Sequence, residues 1–229
     1  MEIDRFNGLL LLDLDCVTIY GGSPRDALSA EIYLLHSELP AALDQLGWRV
    51  ILLTHRSQRD ANLIRSYLEE YGCQFEDCIS ARQLFSAAVL ELSFLKLLTT
   101  GLSKSFALGF LEKKYSVKRD QMILVDDRPE NIEELIRGGM KCGVLAPFEL
   151  FDQTQEESKV NTFDFQQIVN WIKANFPDSE HGLFEATPVG RKLSELPIVG
   201  HIETRSFGPF ELFRRTLKWL RNKIKVSCM

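Results

Sequence analysis

Three apolar runs, each ending in a polar residue, constrain the fold of this chain most strongly. They are GLLLLD at residues 8–13, RVILLT at residues 49–54 and MILVD at residues 122–126. Each run predicts a buried β-strand, and segments with helical spacing lie between them, which is typical of a parallel sheet. Because the carboxyl ends of parallel strands share one edge, we expect Asp13, Thr54 and Asp126 to meet there.

The remaining pattern predicts alternating helices and strands up to about residue 150. Predicted helices cover residues 27–46 (broken at Pro40), 57–72 with Ser57 as N-cap, 81–88, 103–115 with Ser103 as N-cap, and 129–138; predicted strands cover 73–80, 92–99 and 142–145. Beyond residue 150 we expect a helix at 163–176, a loop-rich stretch at 177–201 and a helix at about 209–226. The sequence therefore predicts a core at residues 1–150 and a helical C-terminal extension at 151–229.

Four acidic side chains are predicted to crowd the shared strand edge: Asp13, Asp15, Asp126 and Asp127. Carboxylates at this density repel one another, and a divalent cation removes the repulsion. Ligands that are all oxygen favour Mg²⁺. Lys104 and the Thr54 hydroxyl add the charge and the hydrogen bond that a phosphoryl group needs, so the edge is predicted to bind one.

In order, the motifs DLDCVT, LLT, Lys104 and VDDRPEN resemble the four motifs of the haloacid-dehalogenase superfamily, over roughly residues 8–146. The resemblance implies a Rossmannoid α/β fold with a parallel sheet flanked by helices. It also implies that Asp13 attacks phosphorus and forms an aspartyl-phosphate. Asp15 would then be the general acid for the leaving group and the base for the hydrolytic water.

The same resemblance implies the ligands of Mg²⁺ and of the phosphoryl group. The carboxylates of Asp13 and Asp126 and the backbone carbonyl of Asp15 would hold the ion, with Asp127 bound directly or through water. Thr54 and Lys104 would hold the phosphoryl oxygens. Arg56, two residues after Thr54, is predicted to lie at the active edge and contact the substrate.

Some residues leave other interpretations open. Either Asp pair alone would also suit a turn or a helix cap, and Lys113, Lys114 and Lys118 compete with Lys104. Cys16 stands where the superfamily usually has Gly, so the turn after Asp15 is expected to be shaped differently. The histidines at positions 36, 181 and 201 are interpreted as surface residues.

The spacing of the motifs bears on the substrate. Only 38 residues separate Asp15 from Thr54 and 49 separate Thr54 from Lys104, which is too few for the cap domain usual in members that act on small metabolites. We therefore favour a phosphoprotein, and phosphotyrosine in particular. The alternatives are the same chemistry on a polynucleotide end or a small-molecule phosphate, and a non-enzymatic membrane- or partner-binding module with a vestigial site.

The C-terminal tail differs in charge from the rest of the chain. Residues 205–229 carry seven basic side chains and one acid, a net charge of +6, so the total of −5 leaves −11 on the other residues. The acidic body disfavours nucleic acid. The tail is predicted to form a basic amphipathic helix that suits an anionic membrane surface, although its apolar stripe would equally suit packing on the core.

The cellular location is predicted from what the sequence does not show. The five cysteines form neither a disulfide framework nor a zinc pattern, and no secretory signal or membrane-spanning run is apparent. We expect a cytoplasmic or membrane-associated protein. A minimal phosphatase with a basic tail is also similar to phosphatases that bacteria inject into host cells.

Overall fold

A computed structural model describes residues 8–21, 31–90, 93, 96–98, 101–151, 158–176 and 182–202. In chain order its strands are β1 (Leu9–Leu12), β2 (Ile19–Gly21), β3 (Glu31–Leu34), β4 (Arg49–Leu53), β5 (Asp77–Ile79), β6 (Met122–Asp126), β7 (Cys142–Leu145), β8 (Glu149–Phe151), β9 (Lys159–Phe163), β10 (Gly182–Glu185), β11 (Pro188–Lys192) and β12 (Ile198–His201). Six of them form one parallel sheet in the order β10-β7-β6-β1-β4-β5. The predicted α/β fold with a parallel sheet is confirmed.

The α-helices flank this sheet. They are α1 (Leu39–Leu46), α2 (Gln58–Glu70), α3 (Ala81–Leu90), α4 (Ala107–Tyr115), α5 (Pro129–Arg137) and α6 (Phe165–Asn175). Alternate residues of β1 serve opposite faces: Leu10 and Leu12 share a core with α1, α2 and α6, whereas Leu9 and Leu11 share one with α3, α4 and α5. Burial on both faces explains why the strand is continuously apolar.

Two predicted N-caps begin their helical segments. The Ser57 hydroxyl accepts a hydrogen bond from the backbone N–H of Asp60, and α2 follows. The Ser103 hydroxyl accepts one from the backbone N–H of Ser105. A short 3₁₀ turn (Lys104–Phe106) then leads into α4, which fixes Lys104 at the start of this helical segment.

Two small antiparallel sheets lie beside the main one. Strands β2 and β3 pair with each other, and β12 pairs with the other side of β3. Strands β8, β9 and β11 form the second small sheet. The β2–β3 pair follows Asp15 directly, and it is therefore the part of the small sheets that bears on the predicted site.

The prediction of a helix at residues 27–46 is wrong in part. Residues 31–34 form β3, with alternating half-buried and buried side chains, and residues 22–30 lie outside the described part of the chain. The helix begins only at Leu39, with Pro40 in its first turn. Proline is tolerated there because the first N–H groups of a helix have no partner within it, so Pro40 marks a helix start and not a break.

Two further predictions of local structure are wrong. Residues 96–98, expected to be strand, are helical, and Leu97 packs against Ala88 and Phe106. The stretch at 177–201, expected to be loop-rich, contains β10, β11 and β12 among its described residues. Its prolines suggested loops, yet Pro188 is the first residue of β11 and Pro197 immediately precedes β12, positions at which a strand accepts proline.

The residues on either side of position 150 share one core. Strand β10 pairs in parallel with β7, and Phe165, Ile168 and Val169 pack in the same cluster as Leu10. The helix predicted at 163–176 is present as α6, shortened because residues 159–163 form β9. The helix predicted at about 209–226 lies outside the described residues. Within the described residues, no helix has the length and apolar character needed to span a bilayer.

One histidine interpreted as a surface residue is fully buried. His36 has no exposed surface, and its ring packs 4.3 Å from that of Phe163 and 5.7 Å from that of Phe165. Its Nε2 lies 2.8 Å from the carbonyl oxygen of Val17, so the ring joins the segment after Asp15 to the core. Burial lowers the pKa of His36 despite the nearby carboxylate of Glu38. His201 is exposed as expected, and His181 is not among the described residues.

Candidate active site

Asp13 lies one residue beyond β1, at the carboxyl edge of the sheet. Its backbone N–H donates to the carbonyl of Val125 at 3.0 Å, and its own carbonyl accepts from the Thr18 hydroxyl at 2.7 Å. Leu12 pairs with Val125 on one side and Leu52 on the other, so β1, β4 and β6 end nearly level. The strand register therefore brings Asp13 next to Asp126, as the sequence predicts.

Lys104 bridges the two aspartates. Its Nζ lies 2.8 Å from Oδ1 of Asp13 and 2.6 Å from Oδ2 of Asp126, and the lysine side chain is only 1% exposed. Burial alone would lower the pKa of Lys104, but the two carboxylates outweigh it and raise that pKa. The lysine is therefore a fixed positive charge between two buried acids.

Asp126 is held by a donor that is not among the predicted site residues. The Asn131 side-chain amide donates to both carboxylate oxygens of Asp126, at 2.9 and 3.0 Å, and the backbone N–H of Arg128 donates at 2.9 Å. Asn131 lies in the first turn of α5 and faces back toward the strand end. The signal for it was the Asn in VDDRPEN, five residues after Asp126 and within reach once Pro129 starts the helix.

Three acids come close enough to share one cation. Oxygen atoms of Asp13, Asp126 and Asp127 all lie within 4.8 Å of one another. Two oxygens bound to one Mg²⁺ are at most about 4 Å apart, because each Mg–O bond is about 2.1 Å. Small side-chain rotations would therefore bring the three carboxylates into range of one ion.

The electrostatics of the cluster also suit a cation. Burial raises the pKa of Asp13 well above its usual value, opposed by Lys104 and reinforced by Asp126 and Asp15. Burial, followed by the charge of Asp126, raises the pKa of Asp127 to about 6. Both shifts arise because negative charge is costly here, and a dication would relieve that cost. The residues therefore fit the predicted Mg²⁺.

Asp15 lies apart from this three-acid cluster. Nε of Arg56 donates to its two carboxylate oxygens at 2.9 and 3.1 Å, and the backbone N–H of Arg56 donates to the Thr54 hydroxyl oxygen at 3.1 Å. Thr54 is fully buried beside β5, where its N–H donates to the Ile79 carbonyl. Thr54 and Arg56 are thus at the active edge, and the Arg56 guanidinium contacts Asp15.

The turn after Asp15 retains the backbone shape expected of glycine. Cys16 has φ +62°, in the left-handed region, and its N–H donates to the carbonyl of Ile19 at 2.8 Å. Cys16 thus carries a side chain in a conformation that favours glycine. A non-glycine residue adopts the conformation at a cost of about 1 kcal/mol.

The described structure thus brings all seven predicted site residues to one edge. Asp13, Lys104, Asp126 and Asp127 form a contiguous cluster, and a second group formed by Asp15, Arg56 and Thr54 adjoins it through the short Asp13–Asp15 segment. The individual roles of these residues in binding and catalysis stay predictions.

Comparison with known proteins adds a likeness of fold. No protein-family model and no curated protein sequence matches the chain. Solved structures do resemble it. D,D-heptose 1,7-bisphosphate phosphatase from Burkholderia thailandensis has 15% identity and a TM-score of 0.42, with 80% of this chain and 93% of that one covered. Sucrose-phosphatase from Synechocystis has 13% identity and a TM-score of 0.39, with 79% and 92% covered.

A third similar structure contains magnesium. It is the N-terminal part of a Bacteroides fragilis protein, BF1531, containing a phosphatase domain complexed with Mg. The identity is 14% and the TM-score 0.41, with 59% of this chain and 34% of that chain covered. At these identities and TM-scores the likeness says nothing about substrate, and the function is inferred from the residues of this chain.

Proposed function

We propose that the protein is a Mg²⁺-dependent phosphomonoesterase that forms an aspartyl-phosphate on Asp13. The observation that carries the proposal is the buried cluster in which Lys104 bridges Asp13 and Asp126, with Asp127 beside them. A salt bridge that served stability alone would need one acid for one base. Here Lys104 contacts two acids, and a third, Asp127, has an oxygen within 4.8 Å of theirs, so the excess negative charge calls for a further cation.

The contacts of Asp13 suit a nucleophile. Among the described residues, the donors to its carboxylate converge on Oδ1, from Lys104 Nζ and from the backbone N–H of Leu14 at 2.7 Å. Oδ2 is therefore the oxygen proposed to attack phosphorus. Its bond to phosphorus forms as the ester P–O bond breaks, and the leaving oxygen takes a proton from Asp15.

The second step returns the enzyme to its starting state. Water attacks the phosphorus of the aspartyl-phosphate, Asp15 accepts a proton from that water, and inorganic phosphate leaves as the Asp13 carboxylate is restored. Lys104 and the Thr54 hydroxyl would hold phosphoryl oxygens during both transfers. Mg²⁺, held by Asp13, Asp126 and Asp127, would supply charge neutralisation to the phosphoryl group.

A protein substrate, and phosphotyrosine in particular, is the substrate class we favour. In the described residues, only α2, β5, α3 and the helical residues 96–98 separate Thr54 from Lys104. The side chain of Asp15 is 44% exposed, which supports an open rim that a projecting side chain could enter. A polynucleotide end or a small-molecule phosphate remains the alternative for the same chemistry.

The proposed activity is tested with an aryl phosphate. We expect hydrolysis of p-nitrophenyl phosphate with Mg²⁺, loss of turnover in EDTA, and a fall of roughly a thousandfold or more in kcat for Asp13→Asn, the scale seen when a covalent nucleophile is removed. Asp44→Asn, an exposed acid on α1, is the matched control. Equal turnover in all of these samples would contradict the proposal.

The substrate class and the tail need separate measurements. Relative kcat/KM on phosphotyrosine peptides, phosphorylated oligonucleotides and sugar phosphates would rank the three classes. No turnover on any substrate, together with liposome binding that depends on residues 205–229, would instead favour a membrane-binding module with a vestigial site. Membrane association and delivery into a host cell stay predictions, because that tail lies outside the described residues.

A further inference from the structure

Arg56 makes contacts that differ from those expected of a substrate-binding arginine. Its side chain is 9% exposed, although it lies at the open edge of the sheet. Its Nε donates to both carboxylate oxygens of Asp15, and its NH2 group donates to Asp15 and to the Gly21 carbonyl, the latter at 2.8 Å. The guanidinium is therefore directed at the proposed acid/base and at the end of β2.

Both ends of this arrangement are anchored. On one side, Arg56 follows β4, and its backbone N–H donates to the Thr54 hydroxyl oxygen. On the other, Gly21 is paired with Ile32 of β3, and it has φ +93°, a conformation open mainly to glycine. A side chain at this position would also overlap the carbonyl oxygen of Glu31. The Gly21 carbonyl is therefore a fixed acceptor.

The Asp15 carboxylate needs such support. Its side chain is 44% exposed and stands outside the cluster formed by Asp13, Asp126 and Asp127. An exposed aspartate can adopt several rotamers, and only one orientation can serve a given leaving oxygen. A planar guanidinium that binds both carboxylate oxygens selects one orientation, which a single donor would not do.

We infer that Arg56 is a positioning residue that acts through Asp15, turning the acid/base away from the cluster of Asp13, Asp126 and Asp127 and toward the leaving group. The inference rests on the proposed phosphatase function and assigns Arg56 a role other than direct contact with substrate. Removal of a substrate-binding arginine would lower kcat/KM for all phosphate esters alike. A residue that positions a proton donor matters most for leaving groups that need the proton.

The experiment compares two substrates of nearly equal shape. Phenyl phosphate releases a strongly basic phenolate, whereas p-nitrophenyl phosphate releases a weakly basic one that departs with little protonation. We expect Arg56→Met to lower kcat/KM for phenyl phosphate by about 10- to 100-fold, less than the roughly 100- to 10,000-fold of general acid–base catalysis because Asp15 itself is kept, and for p-nitrophenyl phosphate by less than about 3-fold. Arg59→Met, an exposed arginine in the first turn of α2, is the matched control.

A double-mutant cycle then asks whether Arg56 acts through Asp15. In an Asp15→Asn background, Arg56→Met should change kcat/KM by less than about 2-fold, because the group that it positions is already lost. Arg56→Lys keeps the charge without the planar fork and should fall between wild type and Arg56→Met. Thermal unfolding of each variant identifies loss of folded protein, and if Arg56→Met does not fold, Arg56→Lys carries the comparison.

The outcomes separate the two proposals. Equal losses for both substrates that persist in the Asp15→Asn background would overturn the positioning role and restore a substrate-binding one. Absence of any Asp13-dependent turnover in the wild-type protein would instead refute the phosphatase function itself.

Discussion

Asp127→Asn tests the cost of the charge cluster directly. The pKa of Asp127 is raised from 3.8 to about 6, first by burial and then by Asp126. Because the folded-state value lies above the unfolded one, the folded protein binds more protons between these pH values. The free energy of unfolding must therefore fall as the pH rises through this window, and the contribution of Asp127 is intact only below about pH 4.

The size of the effect follows from the same values. The difference between 3.8 and about 6 corresponds to about 3 kcal/mol at neutral pH. Asp127 is partly exposed, and screening by solvent reduces this to about 1–2 kcal/mol. Without metal, Asp127→Asn should therefore be more stable than the wild type by that amount at pH 7.5, and the two should converge near pH 4.

Urea unfolding in EDTA at several pH values between 4 and 7.5 measures this difference, with Asp44→Asn as the control acid. Comparison of variant with wild type cancels the contributions of other titrating groups. A variant that is less stable than the wild type at pH 7.5, or a difference that does not change with pH, would refute the reasoning. With Mg²⁺ added, the wild type should gain more stability than the variant, because a ligand bound only by the folded state stabilises it.

Two further substitutions test the buried lysine and the fixed hairpin strand. Lys104→Met leaves Asp13 and Asp126 facing each other without their cation and should lower the free energy of unfolding in urea by about 3–5 kcal/mol. The control, Lys114→Met, breaks a half-exposed ion pair and should lower it by less than about 1 kcal/mol. Similar losses for both variants would contradict the burial of Lys104. Gly21→Ala should lower the free energy of unfolding by more than the roughly 1 kcal/mol expected for Gly47→Ala. Both glycines have positive φ, but only at position 21 would the new Cβ overlap a backbone atom. Equal shifts in Tm for the two variants would argue against the overlap.

The positions of the proposed nucleophile and its cluster could be predicted from the sequence because every member is fixed by local structure. Asp13 directly follows the buried strand β1, Asp126 ends the buried strand β6, and Lys104 follows the Ser103 cap. The parallel arrangement then brings them together without any information about loops. The role of Asn131 is not apparent from the sequence, because Pro129 indicates where the helix begins but not the direction in which the Asn131 side chain points.

The surroundings of Asp15 could not be predicted in the same way. Strand β3 is short, and its sequence, EIYL, also suits the helix predicted there. Its assignment as a strand depends on pairing with β2 and with β12, more than 160 residues further along the chain. Four residues are too few for their alternation to outweigh the helical spacing of the longer segment, which favours the helical interpretation.

The two halves of the proposed chemistry therefore have different structural supports. The proposed nucleophile is held by adjoining strands of the main sheet, and a shift of these strands would disrupt the packing of the buried core. The acid/base is held by Arg56 and the β2–β3 pair, which is secured in turn by β12, and Gly200 of that strand lies against the Tyr67 ring on α2. A change that loosens β12 should thus impair proton transfer to the leaving group before it impairs attack by Asp13. Phenyl phosphate turnover would then fall while p-nitrophenyl phosphate turnover persists.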